Sequence, residues 1–481
     1  MNNPKRTLNL FDTVMIVSGS MIGSGIFIVT TGMSRMLGSP FWVLMAWVLS
    51  GIITLFAALS YSELAGMMPE AGGQFIYLKR AFGKMTAFVY GWTVFLVIQT
   101  GVFAAVAMAF AKYTGVFFPF FDEKNILLQL GSFQISSAQI LAISSIVFLT
   151  WINSKGVKNG KAIQRVFTSA KILALLILII LGIGFGMGTH VFSENFSNPF
   201  NSFLSEVKDG VVTTVDLHGI SFITIFGAAM IGALFSSDAW NNVTFIAAEV
   251  KEPQRNIPLG LLIGVGLVTL LYILANVAYF MVLPFNGDPN SSDVISQGVM
   301  YAQNDRVGTA ALFVIFGNTS KYLMAALIMV STFGCNNGLV LAGSRLFQSM
   351  AENGLFFEKV KKLNQHGVPQ NSMIYQCIWG SVLCLSGSYN ELLDYCTFGS
   401  LLFYMVTIAG IFVLRKKEPD TPRPYKAFGY PVIPALYILL AGFICVNLLI
   451  IKPDSAGKGM LIILLGIPVF YLFNRKKAEK K

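Results

Sequence analysis

The sequence predicts an all-α membrane protein with 12 transmembrane helices, on three observations. Charged residues make up 12% of the 481-residue chain, against about 25% in soluble domains. Twelve stretches are long and apolar enough to cross a bilayer, which takes about 20 residues of α-helix. Lys and Arg are distributed unevenly between the two sides of those stretches. A soluble chain of this length needs more polar surface to cover its core. An ordinary cytosolic enzyme, a disordered chain and a DNA-binding domain are therefore excluded. The formal charge of +11 raises nucleic acid as a partner. The basic residues are scattered between apolar runs, so no nucleic acid is expected and the lipid bilayer is the partner.

The spans cover residues 12–34, 41–66, 84–112, 137–155, 164–187, 219–249, 257–283, 308–345, 371–388, 391–414, 432–451 and 457–474. The first follows Lys5 and Arg6. It is too long for a signal-peptide core and lacks a small-residue cleavage site, so it reads as a span. The eighth is too long for one crossing and includes an external helix before about Ser320. Of the 34 Lys and Arg, 25 fall on the side of the termini and 8 on the other, with Lys171 inside a span. That bias predicts a multi-pass protein of the cell (inner or plasma) membrane with both termini in the cytoplasm.

The five Cys (Cys335, Cys377, Cys384, Cys396 and Cys445) lie in apolar runs, where Cys behaves as a small hydrophobe. His190, His218 and His366 are far apart in the chain. No zinc spacing or disulfide framework appears, so no metal and no cofactor are expected. A membrane enzyme needs a cluster of His, Cys or acidic residues at one face, and a channel needs a filter or charged rings. The sequence has neither, and no catalytic residues are expected.

Two spans are poor continuous helices. Span 1 contains Ser18-Gly19-Ser20-Met21-Ile22-Gly23-Ser24-Gly25. Gly19 and Gly23 form a GxxxG pair, which can simply serve close helix packing. Gly25 and the serines also allow the backbone to unwind and free its N–H groups. Span 6 contains Phe235-Ser236-Ser237-Asp238-Ala239-Trp240-Asn241-Asn242. Ser, Asp and Asn compete for backbone hydrogen bonds and favour caps and turns. Such a cluster either glues helices together or lines a cavity. Spans 1 and 6 open two five-span halves. Interrupted helices at matching positions point to a midplane transport site in an inverted repeat. Free N–H groups suit a carboxylate and free carbonyls suit an ammonium, so an amino acid fits both.

Five stretches give the chain a resemblance to the amino acid–polyamine–organocation superfamily. They are GSMIGSGIF (19–27), YSELAGMMPEAGGQFIYL (61–78), RVFTSAKILAL (165–175), AWNNVTFIAAEVKEPQRNIP (239–258) and FGCNNGLVLAGSRLF (333–347). The chain most resembles the L-type amino acid transporters, the light-chain family, and their bacterial homologues. The resemblance implies a leucine-transporter-type fold, a 5+5 inverted repeat with broken helices 1 and 6. Its first repeat is 1–187, its second 188–414, and 415–481 carries spans 11 and 12 with the C-terminus. The implied function is sodium-independent transport or exchange of L-amino acids by alternating access. A polyamine or cationic amine carrier of the same superfamily is the alternative.

Residue by residue, the resemblance implies a substrate carboxylate on unwound span 1, at Ser24 and Gly25 within Ser20, Met21, Ile22, Gly23, Ser24 and Gly25. The Met21 carbonyl helps to hold the amino group. Phe235 closes over the substrate, and Ser236 and Asp238 lie on the unwound stretch that meets the amino group. Trp240, Asn241 and Cys335 border the pocket. Lys171 either snorkels to the interface or, as the resemblance implies, takes the place of a sodium ion and links spans 1, 5 and 8. Asp238 either caps the second half of span 6 or recognises substrate charge. Glu63 and Glu249 lie at inner ends of spans, either as interfacial partners of Lys79, Arg80, Lys251 or Arg255 or as a cytoplasmic gate that Arg345 joins. Family light chains join a heavy chain through a Cys between spans 3 and 4. Residues 113–136 hold no Cys, so no disulfide-linked heavy chain is expected.

Overall fold

The structure is a computed structural model that describes residues 6–130, 133–208, 211–385 and 389–478. Helix α1 (Leu10–Met21) opens with a reciprocal capping box. The Asn9 side chain accepts from the Asp12 amide and the Asp12 carboxylate accepts from the Asn9 amide, both at 3.0 Å. Helix α2 (Val29–Leu37) ends at Gly38, whose φ of 67° suits glycine. Ser39 then caps α3 (Pro40–Met67), which has Pro at its first position. Helices α4 (Gln74–Phe82), α5 (Lys84–Thr93) and α6 (Gln99–Thr114) follow, and a π-helical turn at Val94–Ile98 joins α5 to α6. Next come α7 (Ser137–Ser154), α8 (Val157–Gly186) and α9 (Val191–Asn195).

The second half begins with α10 (Gly219–Ser236), the single turn α11 (Asn242–Phe245) and α12 (Pro253–Val282). Helix α13 (Val307–Phe316) is separated from α14 (Ser320–Glu352) by Gly317, at φ 56°. The long eighth run therefore divides at Ser320, as its length requires. Helices α15 (Gln370–Leu385), α16 (Tyr389–Lys417), α17 (Val432–Ile451) and α18 (Pro453–Ala478) complete the chain.

The all-α expectation needs one correction. Two antiparallel hairpins decorate the connections: β1 (Ile126–Leu130) with β2 (Phe133–Ser136), and β3 (Phe203–Lys208) with β4 (Val211–Asp216). Both lie between the apolar runs, where β-branched residues such as Val211, Val212, Thr213 and Thr214 favour a strand. Among the described residues, ten helices are long and apolar enough to cross a membrane. Two expected spans are outside that set. Span 1 is split after Met21, and α15 has 16 residues.

Helix α1 sits inside the bundle, packed against α8, α12 and α14, while α3 runs along α12. Ile180 on α8 and Leu439 on α17 are 65% and 70% exposed. Apolar side chains on an outer surface are what contact with lipid tails requires. The molecule is a multi-pass membrane protein.

Candidate functional site

The site is built from two interruptions that meet. Helix α1 stops at Met21, Ile22 is extended, and a 3-10 turn at Gly25–Phe27 leads towards α2. Helix α10 stops at Ser236, and residues 237–241 lead to α11. Ala239 in that stretch has φ 64°, a conformation that costs a non-glycine residue about 1–3 kcal/mol. A Cβ on Gly25 would collide with the Ser236 hydroxyl, so glycine permits the close approach. Gly23 faces open space.

A helix end leaves its last carbonyls without intrahelical donors. Here side chains from three other helices supply them. Lys171, in the middle of α8 and 3% exposed, donates from Nζ to Gly19 O at 2.6 Å and Ile22 O at 2.7 Å. It also donates to Ser331 O on α14, at 3.2 Å. The Cys335 thiol donates to Ser20 O at 3.2 Å. The Tyr272 hydroxyl on α12 lies 3.1 Å from both Met21 O and Ser236 O, so it touches both interruptions and donates its one proton to either. Ser331 Oγ is 2.9 Å from Ile22 O. Lys171 therefore does not snorkel. Its ammonium joins α8 to the end of α1 and to α14.

Asp238 accepts hydrogen bonds from Ser400 Oγ at 3.0 Å and from the Tyr404 hydroxyl at 2.6 Å, both on α16. The cap reading fails, because α11 begins at Asn242 and Asn241 occupies its N-cap position. A polar chain continues inward. The Tyr404 hydroxyl is 3.2 Å from Asn241 Oδ1, Asn241 donates to Gln74 at 2.9 Å, and Gln74 donates to Thr407 at 3.0 Å. Trp240 is buried and packs edge-on against Tyr61, with ring centroids 4.8 Å apart. Phe235 and Ser24 are half-buried. The Ser20 hydroxyl is buried with no hydrogen-bond partner.

Two cavities flank Asp238, Ser400 and Tyr404. Each offers about 20 Å³ to the centre of a water-sized sphere. That holds a water and no more, so the site is closed in this conformation. Thr54, Ser237, Thr397 and Tyr437 line the first cavity. Tyr90, Gln99 and the π-turn residues Val94 and Ile98 line the second.

Comparison with known proteins decides the family. The model described as amino acid permease matches residues 8–473. The chain belongs to the amino acid permease family. It is 30% identical over 474 residues to the large neutral amino acids transporter small subunit 2 of Homo sapiens, covering 97% of this chain and 80% of that protein. It is 30% identical over 477 residues to the b(0,+)-type amino acid transporter 1 of Mus musculus, covering 98% and 88%. It is 28% identical over 484 residues to the Asc-type amino acid transporter 1 of Mus musculus, covering 99% and 83%.

Ion pairs tie distant segments of the permease together. Glu249 pairs with Arg345 in a buried contact, and Arg345 also donates to Gln348 at 2.9 Å and Gly367 O at 3.0 Å. Glu63 takes a bidentate pair from Arg415 at 2.9 and 2.6 Å, and accepts the Ala427 amide at 2.7 Å. Arg423 is 3.3 Å away. The sequence-expected partners Lys79, Arg80, Lys251 and Arg255 are therefore corrected. Arg80 pairs with Glu418, Lys79 with Asn353, and Arg255 with Glu252. The reason is that the last turn of α16 supplies Arg415 and the loop after it supplies Arg423, and both reach Glu63 near the end of α3. Asp12 pairs with Lys161 and Arg165, and Thr7 and Leu8 donate to Glu249 O at 2.9 and 3.0 Å.

Sequence reasoning missed Tyr272, Ser331, Ser400, Tyr404 and Gln74. Ser400 and Tyr404 stand four apart, a spacing that puts both on one helix face. That signal was available, but the rotation of α16 was not.

Proposed function

We propose that this permease is a sodium-independent secondary transporter or exchanger of L-amino acids that works by alternating access. One observation carries the reading: the Lys171 ammonium is bonded to carbonyls freed where α1 ends. A fixed cation there supplies the charge that a bound metal cation would otherwise bring to those oxygens. The substrate carboxylate binds at the N–H groups of Gly23, Ser24 and Gly25, beside open space at Gly23. Its amino group meets Met21, Ser236 and the stretch through Asp238. Rocking of a helix bundle opens the closed cavities to each side in turn. Spans 1–5 and 6–10 are inverted repeats within 1–187 and 188–414, and 415–481 adds spans 11 and 12. Both termini are cytoplasmic. The chain works without a disulfide-linked heavy chain, since residues 113–136 hold no Cys.

A carrier of cationic amines is the second reading, and the Asp238 carboxylate favours it. Among the described residues lining the two cavities, Asp238 is the only carboxylate. A single acid beside hydroxyls suits the ammonium of an amino acid better than a polyamine.

The test is competition by twenty amino acids and putrescine against labelled uptake into proteoliposomes, with and without sodium, at two pH values. Amino acids are expected to compete equally well in both salts. Competition by putrescine alone selects the amine reading. Uptake that requires sodium overturns the role given to Lys171.

A further inference from the structure

A groove that shares no lining residue with the two cavities at Asp238 has the polarity of a phospholipid. It lies between α3 and α12 and is lined by Leu59, Ser62, Gln254, Arg255, Leu259 and Leu262, with Tyr425 at its side. It offers about 440 Å³ to a water-sized sphere, far more than the two cavities at Asp238.

Its residues are ordered by polarity. Gln254 and Arg255 stand in the first turn of α12, at the helix end, and Ser62 lies near the corresponding end of α3. Leu259 and Leu262 follow along α12. Leu262 is seven residues beyond Arg255, about 10 Å further into the span at 1.5 Å per residue. Leu262 is 38% exposed, so the apolar end opens sideways, towards lipid. Pro258 has no N–H, which leaves the Gln254 carbonyl without its helical donor at the polar end.

The charge is also suited. The Arg255 side chain is 72% exposed, and its ion pair with Glu252 is long at 3.7 Å. Lys251 and Lys426 flank the same end in sequence, next to Glu252 and Tyr425. Glu63, the other acid nearby on α3, is already bonded to Arg415 and Arg423. A basic mouth above an apolar trough at the termini side fits an anionic headgroup.

We infer that this groove holds one anionic phospholipid of the leaflet on the termini side, its phosphate at Arg255 and an acyl chain along Leu59, Leu259 and Leu262. The site is separate from the transport site, and the test needs no transport activity.

Purified, delipidated full-length protein is titrated with dioleoyl-phosphatidylglycerol and with dioleoyl-phosphatidylcholine. Retained lipid is counted by native mass spectrometry, and the thermal midpoint is followed in parallel. Phosphatidylglycerol is expected to bind roughly five-fold tighter, from one basic residue near the surface. Arg255→Glu should remove that preference and Arg255→Lys should keep it. Arg255 is exposed, so these variants should fold. Leu259→Trp, which fills the apolar trough, should weaken both lipids. A preference that survives Arg255→Glu overturns the site. So does glycerol phosphate or inorganic phosphate alone reproducing the shift in midpoint, because the acyl chain then contributes nothing.

Discussion

Lys171→Met removes an ammonium but leaves a side chain of similar length. Three acceptors are affected, at 2.6, 2.7 and 3.2 Å. Ile22 O keeps the Ser331 hydroxyl at 2.9 Å, and Ser331 O keeps its own helix. Gly19 O loses its donor and is left buried, at about 1–3 kcal/mol. Against this, the substitution also removes a buried cation that no carboxylate accompanies in these bonds, which relieves desolvation. The net change in stability is therefore expected within about 2 kcal/mol. The loss at the end of α1 is not offset locally, because Met donates nothing to the freed carbonyl. About 2 kcal/mol corresponds to roughly thirty-fold in an equilibrium or a rate. Exchange of labelled amino acid in proteoliposomes should fall at least about ten-fold. The thermal midpoint in detergent should move by only a few degrees. An unchanged rate with an unchanged pH profile would refute the reasoning, and the ammonium would then be a packing device only.

Tyr404→Phe removes the 2.6 Å bond to Asp238 and should raise KM about 10- to 100-fold, the worth of one bond to a charged group. Uptake titration checks this, and a KM within two-fold of wild type speaks against a substrate role for the Asp238 cluster. Arg345→Ala strands the buried Glu249 carboxylate and should destabilise the protein by about 3–5 kcal/mol. Adding Glu249→Gln should recover much of that in thermal melts, since an unpaired charge is then no longer buried. The Arg80 guanidinium bonded to Glu418 holds that carboxyl below the usual glutamate range. Its stabilisation is present above the unfolded pKa of about 4.3 and is lost as pH falls through the lower folded value. Arg80→Ala should flatten this acid limb of the stability curve, and a limb of unchanged steepness counts against the pair.

The site was legible to different depths. The glycine and serine run at 18–25 and the polar run at 236–242 marked the interruptions, because such residues are poor helix formers wherever they fall. Lys171 stood out as a basic residue well inside a span. Tyr272 and Ser331 did not stand out. A lone Ser in an apolar run is usually satisfied by its own helix and a lone Tyr reads as core, and only packing shows that these two reach across to α1. The partners of Glu63 were misjudged for a related reason. Nearby charges in the sequence were weighed, whereas Arg415 and Arg423 come from more than 350 residues away.

The sequence by itself determined that this chain lives in a membrane, because 12% charge cannot cover a soluble core. It also determined which spans lose their helix, since that depends on local backbone preference. The tertiary structure decided what those interruptions meet. Carbonyls freed at Gly19, Ser20, Met21 and Ile22 must find donors inside an apolar bundle. Which donors reach them, Lys171, Cys335, Tyr272 and Ser331, follows from the rotation and depth of three other helices. A long-range arrangement of that kind has no trace in local residue order. The formal charge of +11 is likewise a statement about sides, and the structure turned part of it into named pairs, Arg345 with Glu249 and Arg415 with Glu63.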